Sequence, residues 1–341
     1  MMDMPAAIRA VMQHKDLSHA EMTSVMRTIM TGEATPAQIG GFLVGLHMKG
    51  ESIDEIAAAA QVMRELATGV KVSGDHVVDI VGTGGDGLST FNISTASSFI
   101  VAAAGGKVAK HGNRSVTSSS GSADLLEAAG VNLNITPEQV AQCIEQIGVG
   151  FMFAPLHHSA MKHAIGPRKE MAARTIFNVL GPLTNPAGAP NQLLGVFADE
   201  LVEPLAEVLK KLGSRHVMVV HSDDGMDEIS VGAPTQVAEL KDGKISTYTI
   251  QPEDFEMPRA DIKQLVVEGP QQSLGMIQLI FGGHTGPARD IVLLNAGAAI
   301  YLAGLAESHP AGIEKAKTVI DSGAAQQKLN ELVKLTNSFK S

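Results

Sequence analysis

Through the first seventy residues, apolar positions recur at helical spacing, as at Met22, Val25, Met26 and Ile29. Ser18-His-Ala-Glu21 and Ser52-Ile-Asp-Glu55 are capping boxes, in which the two end side chains satisfy free amides of a first helical turn. Thr35-Pro36 sets an N-cap before a helix-starting proline, and Gly50 suits a helix C-terminus. The expectation is four short helices packed as one bundle. From Asp75 the pattern changes. His76-Val-Val-Asp-Ile-Val81 is a β-branched run ending in glycines, a strand entering a loop. The pattern then predicts a helix over about 94–104, a strand over 107–110, a helix over 122–129, and another opened by Thr136-Pro-Glu-Gln139. Strand-like runs follow at 149–153, 193–197 and 216–221, and 235–240 with 245–250 reads as a hairpin on the sheet edge. The last hundred residues return to helices. Helices alternating with short apolar strands predict an α/β fold with a mostly parallel sheet. Residues 166–190, rich in Pro and Gly, read as a crossing back toward the N-terminal bundle.

Composition narrows the classes. Of 341 residues, 44% are hydrophobic and 18% charged, enough to fill a core and unlike a disordered chain. Trp is absent and Tyr occurs twice, so base stacking has little to draw on; the net charge of −10 also disfavours nucleic acid and anionic lipid. The single cysteine, Cys143, closes no intrachain disulfide, which suits a reducing cytosol. The longest apolar stretch, 291–306, is broken by Asn295 and two glycines and reads as a buried helix rather than a membrane span.

Five segments carry candidate chemistry. Gly82-Thr-Gly-Gly-Asp-Gly87 directly follows a strand, and its glycines let backbone amides approach a phosphate closely. It matches G-x-G-x-x-G literally. The polar stretch after it, and the lack of an acidic residue about 20 positions on, oppose a dinucleotide site. Ser89, Thr90, Asn92, Ser94 and Thr95 crowd the start of the next helix, where free amides and the dipole favour an anion. The segment from Lys110 through His111, Asn113 and Arg114 to Ser122 sets cations among small hydrogen-bonding residues, an anion-binding composition in an acidic chain. Asp227-Glu228 lies beyond the 216–221 strand; paired carboxylates there suit Mg²⁺, which keeps water and phosphate ligands. Finally, Ala154-Pro-Leu-His-His158 precedes Arg168, whose guanidinium can pair with a carboxylate. Two phosphate cradles, a metal doublet and a carboxylate site together predict transfer chemistry on a phosphorylated substrate.

Gly82-Thr-Gly-Gly-Asp-Gly87, Asn92-Ile-Ser-Thr95, Lys110-His-Gly-Asn-Arg114, Gly121-Ser-Ala-Asp124, Arg174-Thr-Ile-Phe-Asn178, Gly181-Pro-Leu-Thr-Asn-Pro186 and Asp227-Glu228, in this order, resemble the anthranilate phosphoribosyltransferases over nearly the whole chain. The resemblance implies a fold like the nucleoside phosphorylases: a small helical domain over 1–70, with the returning segment near 166–190, and a larger α/β domain over 75–341. It implies a cytoplasmic enzyme of tryptophan biosynthesis, a homodimer through the helical domain, with no nucleic-acid or membrane partner. Its substrates would be anthranilate and 5-phosphoribosyl diphosphate. By the same resemblance, Gly82, Gly85, Asp86, Thr90, Asn92, Ser94, Thr95, Lys110, Asn113, Ser118 and Ser122 would hold the phosphoribosyl diphosphate. Ser94, Asp227 and Glu228 would bind Mg²⁺, and Gly82, Asn113, His158 and Arg168 would face anthranilate. No acid or base is assigned; catalysis is expected from positioning and electrostatics. The alternatives are a pyrimidine nucleoside phosphorylase of the same fold, opposed by the metal doublet and the His-Gly-Asn-Arg segment, and a nucleic-acid-binding relative, opposed by the charge.

Overall fold

Four helices open the chain: α1 (Met4–Met12), α2 (His19–Met30), α3 (Pro36–Lys49) and α4 (Ile53–Leu66). The computed structural model describes residues 2–115 and 119–339. Ser18, Thr35 and Ser52 each close a capping box at the start of α2, α3 and α4, and Gly50 caps α3. Such a cap stabilises a helix by about 1 kcal/mol, so these starts are settled locally.

The seven strands are β1 (Val77–Gly82), β2 (Lys107–Gly112), β3 (Val149–Phe153), β4 (Asn191–Gly195), β5 (His216–Ser222), β6 (Thr235–Lys241) and β7 (Lys244–Ile250). They lie in one sheet in the order β3-β2-β1-β4-β5-β6-β7. The first five run parallel, and the β6–β7 hairpin adds antiparallel strands at one edge, as its sequence predicts. A parallel sheet must be covered on both faces. Between and after the strands come α5 (Ile93–Ala103), α6 (Ser122–Ala128), α7 (Pro137–Ile147), α8 (Ala154–His157), α9 (Lys162–Met171), α10 (Phe177–Leu180), α11 (Val202–Lys211), α12 (Pro270–Phe281), α13 (Pro287–Leu302), α14 (His309–Asp321) and α15 (Ala324–Ser338).

Alternate strand residues enter two different cores. Leu193, Met218, Val220 and Val237 pack with Phe99 of α5, Cys143 of α7 and Leu294 of α13. Leu194, Val217, Val219 and Ala238 pack with Leu205 and Leu209 of α11, and this second core runs on into Met22, Met26, Phe42 and Leu43 of the bundle. The bundle thus shares its core with one face of the sheet. Just past α4 the chain is tied to α8: Thr68 N–H donates to the His157 carbonyl at 2.8 Å, and His157 Nδ1 lies 2.7 Å from the Thr68 carbonyl. Farther on, Arg64 Nε of α4 donates to the Leu183 carbonyl at 2.7 Å. No helix of the described residues is long and apolar enough to cross a membrane.

One boundary differs in a way that matters. The sequence pattern ends the second strand at Lys110, because His-Gly-Asn looks like loop. In the structure β2 continues, pairing His111 with Met152 and Gly112 with Phe153. A Cβ at Gly112 would collide with Ser122 and Phe151, so glycine there permits the close approach that extends the ladder. Lys110 and His111 are then consecutive residues of one strand and face opposite sides of the sheet.

Candidate active site

The chain leaves β1 for β2 on one side and later adds β4 on the other. Such a reversal of strand order opens a crevice beyond the carboxyl ends of the strands. Gly82 ends β1 there, and the following turn uses left-handed backbone at Gly84 (φ 65°) and Gly85 (φ 81°), which glycine adopts without steric cost. Thr83 N–H donates to the Gly195 carbonyl at 2.9 Å. Gly84 N–H donates to Asp227 Oδ2 at 2.7 Å. A side chain at Gly82 would strike the Asp227 carboxylate, and one at Gly195 would strike the Asp227 backbone. Two strand-end glycines therefore seat an acidic residue that lies far away in sequence.

This side of the crevice is crowded with negative charge. Desolvation, with the neighbouring Asp86 carboxylate second, pushes Asp227 up to about 6. Desolvation and then Asp227 push Glu228 up to about 8, although Glu228 accepts the backbone N–H of Ser94. The start of α5, where an anion was expected, thus already holds a carboxylate. Lys110 is buried beside it, its Nζ donating to the Ile80 carbonyl at 2.6 Å and to Ser94 Oγ at 3.2 Å. Desolvation lowers its pKa, opposed by Asp79, Glu228 and Asp227. One buried cation does not balance Asp86, Asp227 and Glu228, and carboxylates crowded in this way lack a counter-ion. Among the described residues no three His, Cys, Asp or Glu side chains close a complete metal cage. Two carboxylates and the Ser94 hydroxyl fit a partial oxygen shell of the kind Mg²⁺ shares with water and phosphate.

The opposite side holds two uncharged imidazoles and one arginine. His111 and His158 are buried with ring centroids 5.1 Å apart. Desolvation lowers His111 to about 3 and His158 to about 4, so both are uncharged at neutral pH. His111 bonds the backbone of Gly181 and His158 that of Thr184. Each Nε2 is buried with no hydrogen-bond partner among the described residues. With Nδ1 held by a carbonyl, each Nε2 carries a lone pair and accepts. Arg168 of α9 is half-buried with its guanidinium 5.0 Å from the Phe177 ring centroid. It has no carboxylate partner among the described residues, and desolvation lowers its pKa. Phe177 opens α10, which leads into the Gly181–Asn185 stretch that holds the imidazoles.

The remaining sequence-predicted residues are placed as follows. Gly85 accepts at 2.8 Å from Arg174, whose guanidinium stacks on Phe197 at 4.2 Å. Asp86 accepts Leu88 N–H at 3.2 Å, closing the turn on itself. Thr90 bridges to Val266. The Asn92 amide is tied to two serines: Nδ2 donates to the Ser120 carbonyl, and Oδ1 accepts from the Ser120 and Ser273 hydroxyls. Thr95 is buried with its hydroxyl unpaired among the described residues. Asn113 is exposed, and its carbonyl lies 3.4 Å from Ser122 Oγ. Ser118 lies outside the described residues. Direct contacts thus unite Gly82, Ser94, Lys110, Asp227 and Glu228 on one side and His111 with His158 on the other, whereas Arg168 contacts Phe177.

Residues 5–67 match the family profile described as glycosyl transferase family, helical bundle domain, and residues 74–326 match that described as glycosyl transferase family, a/b domain. The anthranilate phosphoribosyltransferase of Thioalkalivibrio sulfidiphilus is 67% identical over 337 residues, covering 99% of this chain and all of the relative. The chain belongs to the anthranilate phosphoribosyltransferase family. The crystal structure of the Thermus thermophilus family member superposes with a TM-score of 0.93 at 42% identity, covering 97% of this chain and 99% of that one. The Saccharomyces cerevisiae enzyme, solved in complex with PRPP and Mg, superposes with a TM-score of 0.88 at 26% identity, covering 98% of both chains. Within this family fold, sequence reasoning did not single out His111 and Arg174, which stand at the crevice, or Asp79, which is buried within β1. His111 and Arg174 were visible only as parts of motifs. Asp79 carried a signal that could have been used, since a lone carboxylate within a β-branched strand must be compensated once buried.

Proposed function

We propose that this crevice transfers the phosphoribosyl group of 5-phosphoribosyl diphosphate to anthranilate, giving N-(5-phosphoribosyl)anthranilate and diphosphate, a step of tryptophan biosynthesis. The observation that carries the reading is the seating of Asp227 against Gly82 and Gly195, which brings the metal doublet to the phosphate turn. Gly82, Gly85, Asp86, Thr90, Asn92, Ser94, Thr95, Lys110, Asn113 and Ser122 hold the phosphoribosyl diphosphate, together with Ser118. Ser94, Asp227 and Glu228 hold Mg²⁺, which would neutralise the diphosphate charge and so make it a better leaving group. Gly82, Asn113, His158 and Arg168 face anthranilate, with Arg168 on its carboxylate, and His111 joins them.

The mechanism follows from the two sides. Glycine-turn amides and Lys110 fix the diphosphate, so the bond to the ribosyl carbon weakens while its oxygen stays bound. Oxocarbenium character develops on that carbon, as in glycosyl transfer generally. The anthranilate amine is already neutral at pH 7 and needs no deprotonation before attack. With pKa values near 3 and 4, His111 and His158 are poor bases but good neutral acceptors. They orient the amine by accepting its N–H groups, leaving its lone pair for the ribosyl carbon; as the C–N bond forms and the C–O bond to diphosphate breaks, the nitrogen sheds one proton, which passes to the departing diphosphate or to water. The rate thus comes from positioning.

Residues 1–70 with 166–190 form the helical part and 75–341 the α/β part of this enzyme. Exposed Met12, Val44 and Met48 on α1 and α3 support a homodimer through the helical part. The single cysteine, buried and unpaired, supports a cytoplasmic setting. The test combines protein, anthranilate, phosphoribosyl diphosphate and Mg²⁺ and follows anthranilate consumption by fluorescence. Turnover abolished by a chelator and restored by Mg²⁺ is expected; folded protein that consumes no anthranilate refutes the reading.

A further inference from the structure

Asp79 sits in the middle of β1, fully buried, and neither binds the glycine turn nor touches the metal doublet. Its two oxygens tie together elements distant in sequence. Oδ1 accepts the His111 backbone N–H at 3.3 Å. Oδ2 accepts Asn185 Nδ2 at 2.7 Å. Asn185, also buried, donates from the same nitrogen to the Ala109 carbonyl at 2.8 Å, and its Oδ1 accepts Ala187 N–H at 2.9 Å. The four residues just before Asn185 include Gly181 and Thr184, whose backbone groups bond the His111 and His158 rings. One carboxylate therefore fixes β2 against the 181–185 stretch, and that stretch sets the protonated nitrogen of both rings. A buried carboxylate is costly unless its lone pairs are filled, and here each oxygen has a donor.

We propose that Asp79 is a positioning residue: through Asn185 it holds the Gly181 and Thr184 carbonyls so that His111 and His158 both present a bare Nε2 to the aromatic substrate. The inference rests on the transferase reading for its substrate, but the ring tautomers can be measured without turnover. Asp79→Asn leaves one acceptor oxygen where there were two, so its new NH2 faces a donor at either Asn185 Nδ2 or the His111 N–H, and one of the two links breaks while volume is kept.

The experiment compares wild type, Asp79→Asn and Asn185→Ala. Nitrogen-15 spectra of histidine-labelled protein read the tautomers, and steady-state kinetics read each KM. Wild type should show Nδ1-protonated rings at His111 and His158, and both variants should show a mixture with Nε2-protonated rings. The anthranilate KM should rise about 10-fold, the scale found for partners that orient functional imidazoles, with the phosphoribosyl diphosphate KM nearly unchanged. Unchanged tautomers in a folded variant, or equal rises in both KM values, overturn the proposal. If Asp79→Asn does not fold, Asn185→Ala decides the outcome alone. Wild-type protein with the expected tautomers and no turnover would refute the transferase reading and leave the tautomer result standing.

Discussion

Lys110 and His111 are neighbours in sequence, yet they serve two sides of the crevice that differ in almost every electrostatic respect. On the Lys110 side, carboxylates crowd a buried ammonium, and desolvation together with like charges pushes Asp227 and Glu228 upward. On the His111 side no ion pair forms among the described residues; two imidazoles are held neutral by burial and by the neighbouring imidazoles, against the backbone groups that bond them. The first side is built to receive charge and is electrostatically unbalanced without it. The second leaves open two lone pairs and the Arg168 guanidinium, which has no carboxylate partner among the described residues. A leaving diphosphate needs the first environment and an uncharged amine the second. The period-2 geometry of one strand keeps them apart over a single peptide bond.

The largest test of this contrast removes charge from the acidic side. Asp227→Asn or Glu228→Gln should lower kcat/KM for phosphoribosyl diphosphate by ~10²–10³, the range for losing one preorganised electrostatic group. The same substitutions should leave the metal-free melting temperature unchanged or raised, because a repelled carboxylate is gone. A fall in both would mean that the doublet is structural. Next in size, Arg168→Ala should raise the anthranilate KM about 10- to 100-fold, equivalent to ~1.5–3 kcal/mol for a charged hydrogen bond, with kcat little altered. Arg168→Lys should recover only part of this, because ammonium lacks the planar fork.

A smaller effect is expected at the join between the sides. Arg174 donates to the Gly85 carbonyl and stacks on Phe197. Arg174→Ala should loosen the glycine turn and raise the phosphoribosyl diphosphate KM by roughly 5-fold, about 1 kcal/mol; an unchanged KM would show that the turn holds its shape alone. The gentlest test is pH. The folded values of His111 and His158 lie below the ordinary 6.5, so the unfolded chain binds more protons as pH falls. The stability these two rings contribute is full above about 6.5 and declines as pH drops from there toward 4 and 3, while Asp227 and Glu228, raised by burial, change in the opposite sense as pH falls. Thermal melts of His111→Asn and His158→Gln should show shallower slopes over that window. Buried His309, lowered to about 4, keeps the slope from vanishing.

Much of this was legible along the chain. Capping boxes at Ser18 and Ser52, the proline start at Pro36, the strand at 76–81 and the edge hairpin all stand where their local patterns place them. So do the glycine turn and the acidic doublet as chemical candidates. These features come from caps, side-chain period and backbone freedom, which act within a few residues and so are written locally. The tertiary structure alone decided that Asp227 rests on Gly82 and Gly195, that β2 runs on through Gly112, and that Asp79 meets Asn185. Each of those depends on groups many positions apart meeting at van der Waals or hydrogen-bond distance. No short window of sequence encodes such a meeting, because it is set by how sheet and helices pack.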